Sequence, residues 1–295
     1  MSTVRNTLQN AARCVLCAAL GLVAARGEAQ PPQPVHVPHA AHAAAPPSLA
    51  AFLFLPHLSG RHPAVVMLHG CGGAFGKDGQ LNARHQMWGE FLAEKGYVAL
   101  MLDSFGERGL RQICTTPFAH RTLKEADRVA DAHAALAYLR QLPQVDPGRV
   151  ALLGWSHGGG VVLNAISHPA PPPGMPGFAA AVSFYPGCTA RSQRADRFHP
   201  YAPLLLLMGE SDDWTPAAPC QALAVTVAAR GEPMQMVAYP DTYHDFDNPA
   251  LKAKRVRREV PNGVHPGAGV TTAPNPQARE DAKLRVQAFL AEHLH

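Results

Sequence analysis

The sequence predicts an α/β fold in which one mostly parallel sheet is flanked by helices. Uninterrupted apolar runs, such as 62–70 and 97–102, suit strands that are buried on both faces. Segments of helical composition separate these runs, and strands that alternate with helices form parallel sheets with right-handed crossovers. The chain has 295 residues, of which 47% are hydrophobic, which is enough for one sizeable domain. We therefore expect a single domain with its functional groups at the carboxyl ends of the strands.

Each element is read from apolar runs and from the glycines and prolines that end them. Strands are predicted at 49–55, 62–70, 97–102, 149–153, 178–185, 203–208 and 234–239. Helices are predicted at 82–95 (closed by Gly96), 122–141 (ended by Pro143), 161–166, 216–230 (closed by Gly231) and 277–293. The last helix is amphipathic and offers the core Ala282, Leu284, Val286, Phe289 and Leu290.

The amino terminus has the composition of an export signal. Two arginines precede an apolar segment at 14–25 that is too short to span a bilayer, and small residues then lead to Ala29. We expect residues 1–29 to be a signal peptide cleaved after Ala29, which makes the protein periplasmic or secreted; an uncleaved anchor is the alternative. No later segment reaches the length of a membrane span.

The segment 30–48 is rich in proline, alanine and histidine, and we expect an extended linker before a domain at 49–295. Its histidines His36, His39 and His42 are spaced by three; the biased composition of a linker explains them, and metal binding is the alternative. Signal cleavage would lower the formal net charge from +4 to +2, so charge predicts no nucleic-acid partner.

Four cysteines remain after signal cleavage, in a protein predicted to be exported. They are Cys71, Cys114, Cys188 and Cys220. An even number permits two disulfides with three possible connectivities. Their spacing matches no metal-binding pattern such as C-x-x-C, so we expect no metal centre built on them.

A strand, a glycine-bounded turn and a helix enclose one serine. Gly154, Ser156 and Gly158 form the G-x-S-x-G pattern, which places a strained serine at a sharp strand-to-helix turn. The first amides of the following helix point at the hydroxyl and favour a developing oxyanion there. Ser156 is therefore the predicted nucleophile; the alternative is a glycine-rich turn with a bystander serine.

A weakly nucleophilic serine needs a base, and the base needs a carboxylate to orient it. In this arrangement the acid follows the serine in the chain and the histidine comes last. His244, in the loop after the strand at 234–239, is the predicted base. Asp212 and Asp213 compete for the role of acid in the loop after 203–208. We favour Asp212, which lies four residues before Pro216 in the pattern Gly-x-x-Asp-x-x-x-Pro.

An oxyanion hole requires two backbone donors. One is the amide of the residue after the nucleophile, here His157, and the other comes from the loop after an early strand. That loop is HGCGG at 69–73, in which glycines allow close approach of the backbone, and the amide of Cys71 is the predicted second donor. The Cys71 thiol as nucleophile is the alternative, but no base is placed beside it.

Several stretches resemble the dienelactone hydrolase family of the α/β-hydrolase superfamily. They are HGCGG at 69–73, LDSFGERG at 102–109, VDPGRVALLGWSHGG at 145–159, SFYPGC at 183–188, MGESDDWTPAAPC at 208–220, YPDTYHDFDNP at 239–249 and the closing segment at 260–290. The resemblance covers roughly residues 48–293. It implies an α/β-hydrolase sheet of eight strands or slightly fewer, hydrolysis of a carboxylic ester or lactone, and no metal or organic cofactor.

The sequence departs from this family at one position. The enzymes that give the family its name carry cysteine as nucleophile, whereas Ser156 stands here, which shifts the expectation from true dienelactone specificity toward a serine esterase. By the same resemblance, Arg108 or Arg111 is a candidate to bind a substrate carboxylate; a solvated loop arginine is the alternative.

The resemblance also implies how the cysteines pair and which side chains wall the pocket. It pairs Cys71 with Cys114 and Cys188 with Cys220, because each pair follows neighbouring strands. Aromatic side chains in the implied rim are candidate apolar walls, although ordinary packing explains them as easily. They are Phe105, Phe118, Trp155, Tyr185 and Trp214.

The predicted function is therefore hydrolysis of a small-molecule carboxylic ester or lactone through an acyl-enzyme. A peptidase or a polyester depolymerase could use the same three residues. A non-catalytic binding protein on the same fold is an alternative of a different class. No membrane span is expected after signal cleavage, and the oligomeric state is left open.

Overall fold

A computed structural model describes residues 31–39, 46–167 and 177–294. Eight strands of this part form one sheet in the order β1-β2-β4-β3-β5-β6-β7-β8. Their bounds are β1 (Gln33–Pro38), β2 (Ser48–Phe54), β3 (His62–Leu68), β4 (Val98–Leu102), β5 (Val145–Trp155), β6 (Ala180–Phe184), β7 (Leu204–Gly209) and β8 (Met234–Tyr239). The predicted mostly parallel sheet of the α/β-hydrolase fold is confirmed.

The sheet is antiparallel only at one edge. The pairs β1–β2 and β2–β4 are antiparallel, and the neighbouring pairs from β4 through β3 to β8 are parallel. The central strands β4, β6 and β7 are buried along their whole length, because both of their faces are covered. The carboxyl ends of β5, β7 and β8 therefore open onto the same edge of the sheet.

Six α-helices accompany the sheet in the described part of the chain. They are α1 (Ala83–Glu94), α2 (Asp127–Gln141), α3 (His157–Ala165), α4 (Thr189–Ser192), α5 (Ala217–Ala229) and α6 (Pro276–His293). A small second sheet pairs β9 (Arg255–Arg257) with β10 (Val270–Thr272). Among the described residues, no helix is both long and apolar enough to cross a membrane.

Local sequence explains where several helices begin and end. The Asn82 side chain accepts a hydrogen bond from the Arg84 amide and caps α1, and Gly96 follows the helix at a φ of 88°. Asn275 caps α6 in the same way, with Pro276 in the first turn. Of the core positions predicted on α6, Leu284 is wrong: its side chain is 66% exposed.

Part of the segment before the predicted domain is a strand and not an extended linker. Residues 33–38 form the edge strand β1, paired with β2 in a register that joins Gln33 to Leu53. Val37 is fully buried there, so alternating side chains of this segment reach the core despite the flanking prolines. The linker interpretation is therefore wrong for 33–38, and the predicted signal peptide at 1–29 lies outside the described residues.

Candidate active site

Ser156 lies at the sharp turn between β5 and α3. Its φ of 51° and ψ of −114° are unusual for a residue other than glycine, and its amide donates a hydrogen bond to the Phe184 carbonyl at 2.9 Å. A Cβ on Gly158 would collide with the Leu68 carbonyl oxygen, and one on Gly154 would collide with Gly158 itself. Both glycines of the motif are thus required by close backbone packing. The helix starts at His157, earlier than the predicted 161, because Gly158, Gly159 and Gly160 belong to its first turn.

A buried carboxylate–imidazole pair joins the loops after β7 and β8. The His244 Nδ1 donates to Asp212 Oδ2 at 2.6 Å, and both side chains are almost fully buried. The other oxygen of Asp212 accepts from the amides of Trp214 and Thr215, each at 2.8 Å. Asp213 instead accepts from the Thr271 amide and hydroxyl, both at 2.7 Å. Of the two competing carboxylates, the structure thus places Asp212 on the histidine.

The surroundings of His244 set its protonation. Burial by itself lowers the pKa of the imidazole, but the negative charge of Asp212 and the hydrogen bond to it outweigh burial, so the pKa lies above its usual value. Because Asp212 holds the proton on Nδ1, the neutral ring presents Nε2 as its acceptor. The ring centroids of Tyr185 and Trp214 lie 4.5 and 4.6 Å from that of the imidazole, so both rings pack against it.

A cavity of about 50 Å³ brings the predicted groups together. Ser156, Cys71 and His157 lie in its wall, together with Trp214 and Thr215. Thr215 also connects the wall to the acid–histidine pair, since its hydroxyl lies 3.0 Å from His244 Nδ1 and 3.1 Å from Asp212 Oδ2. The predicted serine and both residues of the predicted backbone donors therefore line one small space, and the acid–histidine pair contacts Thr215 and Trp214 of its wall. Sequence reasoning missed Thr215, for which the loop sequence carried no separate signal.

The loop that carries Cys71 is held rigidly. Cys71 forms a disulfide with Cys114, and its carbonyl accepts from the Ile113 amide at 2.8 Å. In the part of the chain that the structure describes, the Cys71 amide donates to no acceptor. The buried His69 side chain braces the same loop, because it bonds the Gly70 carbonyl at 2.7 Å and accepts from the Ser104 amide at 3.1 Å. A free amide at a fixed position is the kind of donor that an oxyanion hole uses.

Both implied disulfides are confirmed. Cys71–Cys114 and Cys188–Cys220 have Cα separations of 4.9 and 5.0 Å. Since Cys71 is disulfide-bonded, its thiol is not available as a nucleophile. No cluster of three or more metal-ligating side chains occurs among the described residues.

Two of the predicted substrate-binding residues have other partners. The Arg108 guanidinium forms two hydrogen bonds with the buried Asp131, at 2.8 and 3.0 Å, and a third with the Ser104 carbonyl at 2.7 Å. Trp155 is fully buried and donates to Asp247 at 2.9 Å. Both predictions are wrong, because these side chains satisfy buried carboxylates instead of facing the cavity.

Of the other side chains predicted to line the substrate pocket, some line the Ser156 cavity and others are buried in the core. Trp214 and Phe118 line the Ser156 cavity, as predicted. Phe105 and Tyr185 are buried in the protein core at 1% and 0% exposure. Arg111 lines a different cavity, together with Phe75 and Leu110.

A buried polar network behind the site was not predicted. The carboxylate of Asp247 accepts from Tyr185 at 2.5 Å and from the indoles of Trp88 and Trp155, each at 2.9 Å. Arg84 donates to the Tyr185 hydroxyl at 2.8 Å and to Asp245 at 2.5 Å. Tyr185 in turn contacts the ring of His244, so the network fixes one wall of the imidazole. The six side chains come from several separate parts of the chain, and a single sequence gives no signal of their meeting.

The fold and this arrangement define an α/β-hydrolase. The sequence profile of the dienelactone hydrolase family matches residues 49–294, and the chain belongs to that family. The family comprises carboxylic ester hydrolases, which agrees with the predicted class.

Solved structures share the fold at low sequence identity. A candidate dienelactone hydrolase of Klebsiella pneumoniae has a TM-score of 0.67 at 17% identity, covering 88% of this chain and 98% of its own. Esterase 2 of Thermogutta terrifontis, in its apo form, has a TM-score of 0.61 at 18% identity, covering 90% and 96%. At such identities the likeness establishes the fold alone.

Curated relatives match over shorter stretches. A Bradyrhizobium protein named "Probable 2-oxo-3-(5-oxofuran-2-ylidene)propanoate lactonase" is 30% identical over 182 residues, which are 57% of this chain and 66% of the relative. Across the curated relatives, the matches span between 30% and 66% of the relative's length.

Proposed function

We propose that this protein is a serine hydrolase that cleaves a carboxylic ester or lactone through an acyl-enzyme. The observation that carries the proposal is the single cavity that Ser156 shares with Trp214 and Thr215, which contact the buried Asp212–His244 pair. A serine at a strained turn beside a histidine oriented by a carboxylate is the arrangement of nucleophilic acyl transfer.

In the first step, the Ser156 Oγ attacks the acyl carbon while His244 Nε2 takes the hydroxyl proton. The C–O bond of the ester breaks, and the protonated imidazole returns its proton to the departing alkoxide. Asp212 keeps the ring in the required tautomer and stabilises the imidazolium that forms.

The amides of Cys71 and His157 would hold the oxyanion during this step. Each such donor contributes on the order of 3 kcal/mol to the transition state in related sites. In the second step, His244 accepts a proton from water and the resulting hydroxide attacks the acyl carbon. The acyl–Oγ bond then breaks as the imidazolium returns its proton to the Ser156 Oγ, and the carboxylic acid leaves.

The size of the cavity favours a small acyl group or a lactone ring. The space directly around Ser156 measures about 50 Å³, and the disulfide-braced Cys71 loop and Trp214 border it. The Bradyrhizobium relative named as a lactonase and the family itself agree with substrates of this kind.

Fluorophosphonate labelling of the protein and of Ser156→Ala tests the proposal. We expect labelling of the wild type, none of the variant, and full labelling of Ser59→Ala, whose serine is exposed and remote from the motif. Among p-nitrophenyl esters of rising chain length, we expect acetate and propionate to react faster than octanoate. An unlabelled wild type would contradict the proposal and favour a binding protein on the hydrolase fold.

A further inference from the structure

A second, larger cavity adjoins the space around Ser156. It measures about 550 Å³ and shares part of its wall with the small cavity. The shared residues are Phe118, Arg121, Glu125 and His157. Neither Ser156 nor Cys71 belongs to the wall of the large cavity. A group that His157 contacts there is therefore part of the substrate beyond the scissile carbonyl.

The proton of the His157 ring is fixed on Nε2. Its Nδ1 lies 2.9 Å from Arg128 Nη1, and because a guanidinium only donates, Nδ1 accepts and Nε2 carries the proton. Among the described residues, no group accepts a hydrogen bond from Nε2, and this nitrogen is not one of the polar atoms sealed in the core. Glu125, the carboxylate on the shared wall, is bonded to Arg191 at 2.8 Å instead. The Nε2–H is therefore a donor that remains available to a molecule in the cavities.

The surroundings of this ring keep it neutral. Burial, followed by the charges of Arg128 and Arg121, lowers the pKa of His157 well below its usual value. His157 is also the first residue of α3, where the helix amides disfavour an additional positive charge. A neutral imidazole with its proton fixed on one nitrogen donates a hydrogen bond to an oxygen and polarises it without adding a charge. Hydrogen bonding, and not charge, therefore selects the group that binds to Nε2.

Arg128 is held behind the His157 ring at a cost in stability. Its side chain is fully buried on α2, and burial lowers its pKa to about 10. The ring of Phe105 covers it, with 5.2 Å between the guanidinium carbon and the ring centroid. Its Nε and Nη2 have no hydrogen-bond partner among the described residues, so its one directed hydrogen bond is the bond to His157. A buried cation with unsatisfied nitrogens is destabilising, and the orientation of His157 is the task that this single bond assigns to Arg128.

We propose that the His157 Nε2–H binds an uncharged oxygen of the substrate, in a carbonyl, ether or hydroxyl group, where the two cavities meet. Arg128 is the positioning residue that holds the required tautomer. This inference rests on the proposed function for the reaction itself. It predicts that the enzyme prefers esters with such an oxygen a few bonds from the scissile carbonyl over esters with a methylene group in its place.

Two pairs of isosteric esters test this preference. The p-nitrophenyl esters of 3-methoxypropanoate and pentanoate differ in one oxygen on the acyl side, and 2-methoxyethyl acetate and butyl acetate differ in one oxygen on the alcohol side. The measured quantity is kcat/KM of the methoxy ester divided by kcat/KM of its partner, and comparison between variants cancels the inherent reactivity of each ester. The variants are His157→Phe, which removes the donor, and His157→Gln, which retains an N–H. The control is His133→Phe, which removes an imidazole outside both cavities.

We expect the ratio for one of the two pairs to fall roughly three- to tenfold in His157→Phe, which corresponds to the loss of one neutral hydrogen bond. The ratio should recover in part in His157→Gln and should equal that of the wild type in His133→Phe. The pair that responds identifies the side of the scissile bond on which the oxygen is bound. Ratios that are the same in the wild type and in His157→Phe for both pairs would overturn the proposal.

A binding measurement separates this inference from the proposed catalysis, because ketones are not hydrolysed. Ser156→Ala is titrated with 4-methoxybutan-2-one against hexan-2-one, and with 5-methoxypentan-2-one against heptan-2-one, which are the ketone counterparts of the two ester pairs. We expect one methoxy ketone to bind more tightly than its partner, and this preference should disappear on adding His157→Phe. Such a result supports the donor even if the wild type fails to label with fluorophosphonate. Equal binding within both pairs contradicts it even if labelling succeeds.

Nitrogen NMR of the imidazole rings tests the role of Arg128 directly. We expect the His157 ring of the wild type to be the Nε2–H tautomer and to remain neutral from pH 6 to pH 8. In Arg128→Met the guanidinium donor is absent, so the ring should become a mixture of tautomers and the ester ratio should fall toward that of His157→Phe. A wild-type ring that carries its proton on Nδ1 would overturn the inference, and this measurement does not depend on the folding of Arg128→Met.

Discussion

Two adjacent carboxylates in the loop after β7 have different tasks. Asp212 receives two backbone amides and the His244 imidazole, whereas Asp213 faces the other way and secures Thr271 at β10. The side chains of neighbouring residues diverge in a tight loop, so one reaches the site and the other reaches a supporting strand. This divergence makes the two residues a matched pair for substitution.

We expect Asp212→Asn to lower kcat by about 10⁴-fold, because the amide holds the wrong tautomer of the base, with little change in the free energy of unfolding. Asp213→Asn should leave kcat near that of the wild type and lower the free energy of unfolding by about 1 kcal/mol, as a charged acceptor of the Thr271 amide is lost. Steady-state kinetics and urea unfolding measure both effects. Equal losses of kcat in the two variants would contradict the assignment of the acid.

The raised pKa of His244 determines the acid side of the pH profile. A protonated imidazole cannot take the proton of Ser156, so kcat/KM should fall as pH drops through an apparent pKa above the ordinary histidine value of about 6.5. In Asp212→Asn the largest interaction that raises the pKa is removed, and the acid limb of the residual activity should shift to lower pH. Rates measured between pH 5 and 9 test this. If the acid limb of the wild type had a lower apparent pKa than that of Asp212→Asn, the result would contradict the pairing of Asp212 with His244.

Residue identity was easier to predict at this site than side-chain direction. Ser156 and His244 followed from a motif and from chain order, because backbone constraints at strand ends limit where such residues occur. Trp155 was misassigned because the residue before the serine still belongs to β5, and its side chain turns to the buried Asp247. Which face a side chain takes depends on partners far away in the chain, and composition does not show them.

At the scale of elements, the two disulfides serve different parts of the fold. Cys71–Cys114 ties the loop of the proposed oxyanion donor to the segment before Phe118, which lines the cavity. Cys188–Cys220 joins the start of α4 to α5 inside the main hydrophobic core. The sequence separations are similar, 43 and 32 residues, so the entropic stabilisation should also be similar.

We expect Cys71→Ser/Cys114→Ser and Cys188→Ser/Cys220→Ser to lower the free energy of unfolding by comparable amounts, about 2–4 kcal/mol each. Only the first should also lower kcat, by roughly tenfold or more, because a displaced donor loses part of its transition-state stabilisation. Urea unfolding and kinetics at saturating ester measure the two effects. A drop of kcat confined to the Cys188→Ser/Cys220→Ser variant would refute the role of the Cys71 loop.

The inner parallel strands were predicted within a few residues, since only continuous apolar runs can fill a sheet covered on both faces. The two edge strands differ: β8 was predicted to the residue although only Met234 and Tyr239 of it are buried. The edge strand β1 was missed, because one exposed side tolerates prolines and polar residues that resemble a linker. On α6, Leu284 fits the helical period but lies on the solvent side, which periodicity alone does not reveal.

For the whole molecule, β1 extends the folded unit closer to the amino terminus than expected. Val37 is buried in the main core, and His39 Nε2 lies 3.1 Å from the buried Asp131, which also holds Arg108. The edge strand is thus connected to helix α2 and to the loop after β4. An amino-terminal cut beyond Gln33 would remove part of the sheet, whereas a cut after Ala29 leaves β1 complete.

We propose that the protein is exported and cleaved after Ala29. Two disulfides form readily in an oxidising compartment, and cleavage at that position keeps the whole of β1 in the mature chain. After bacterial expression of the full sequence, we expect the periplasmic fraction to contain a chain that starts at Gln30, as read from its intact mass, and to contain no free thiol. Ala29→Trp should retain the signal, because cleavage requires a small residue there. Reduced, full-length protein confined to the cytoplasm in the wild type would refute export.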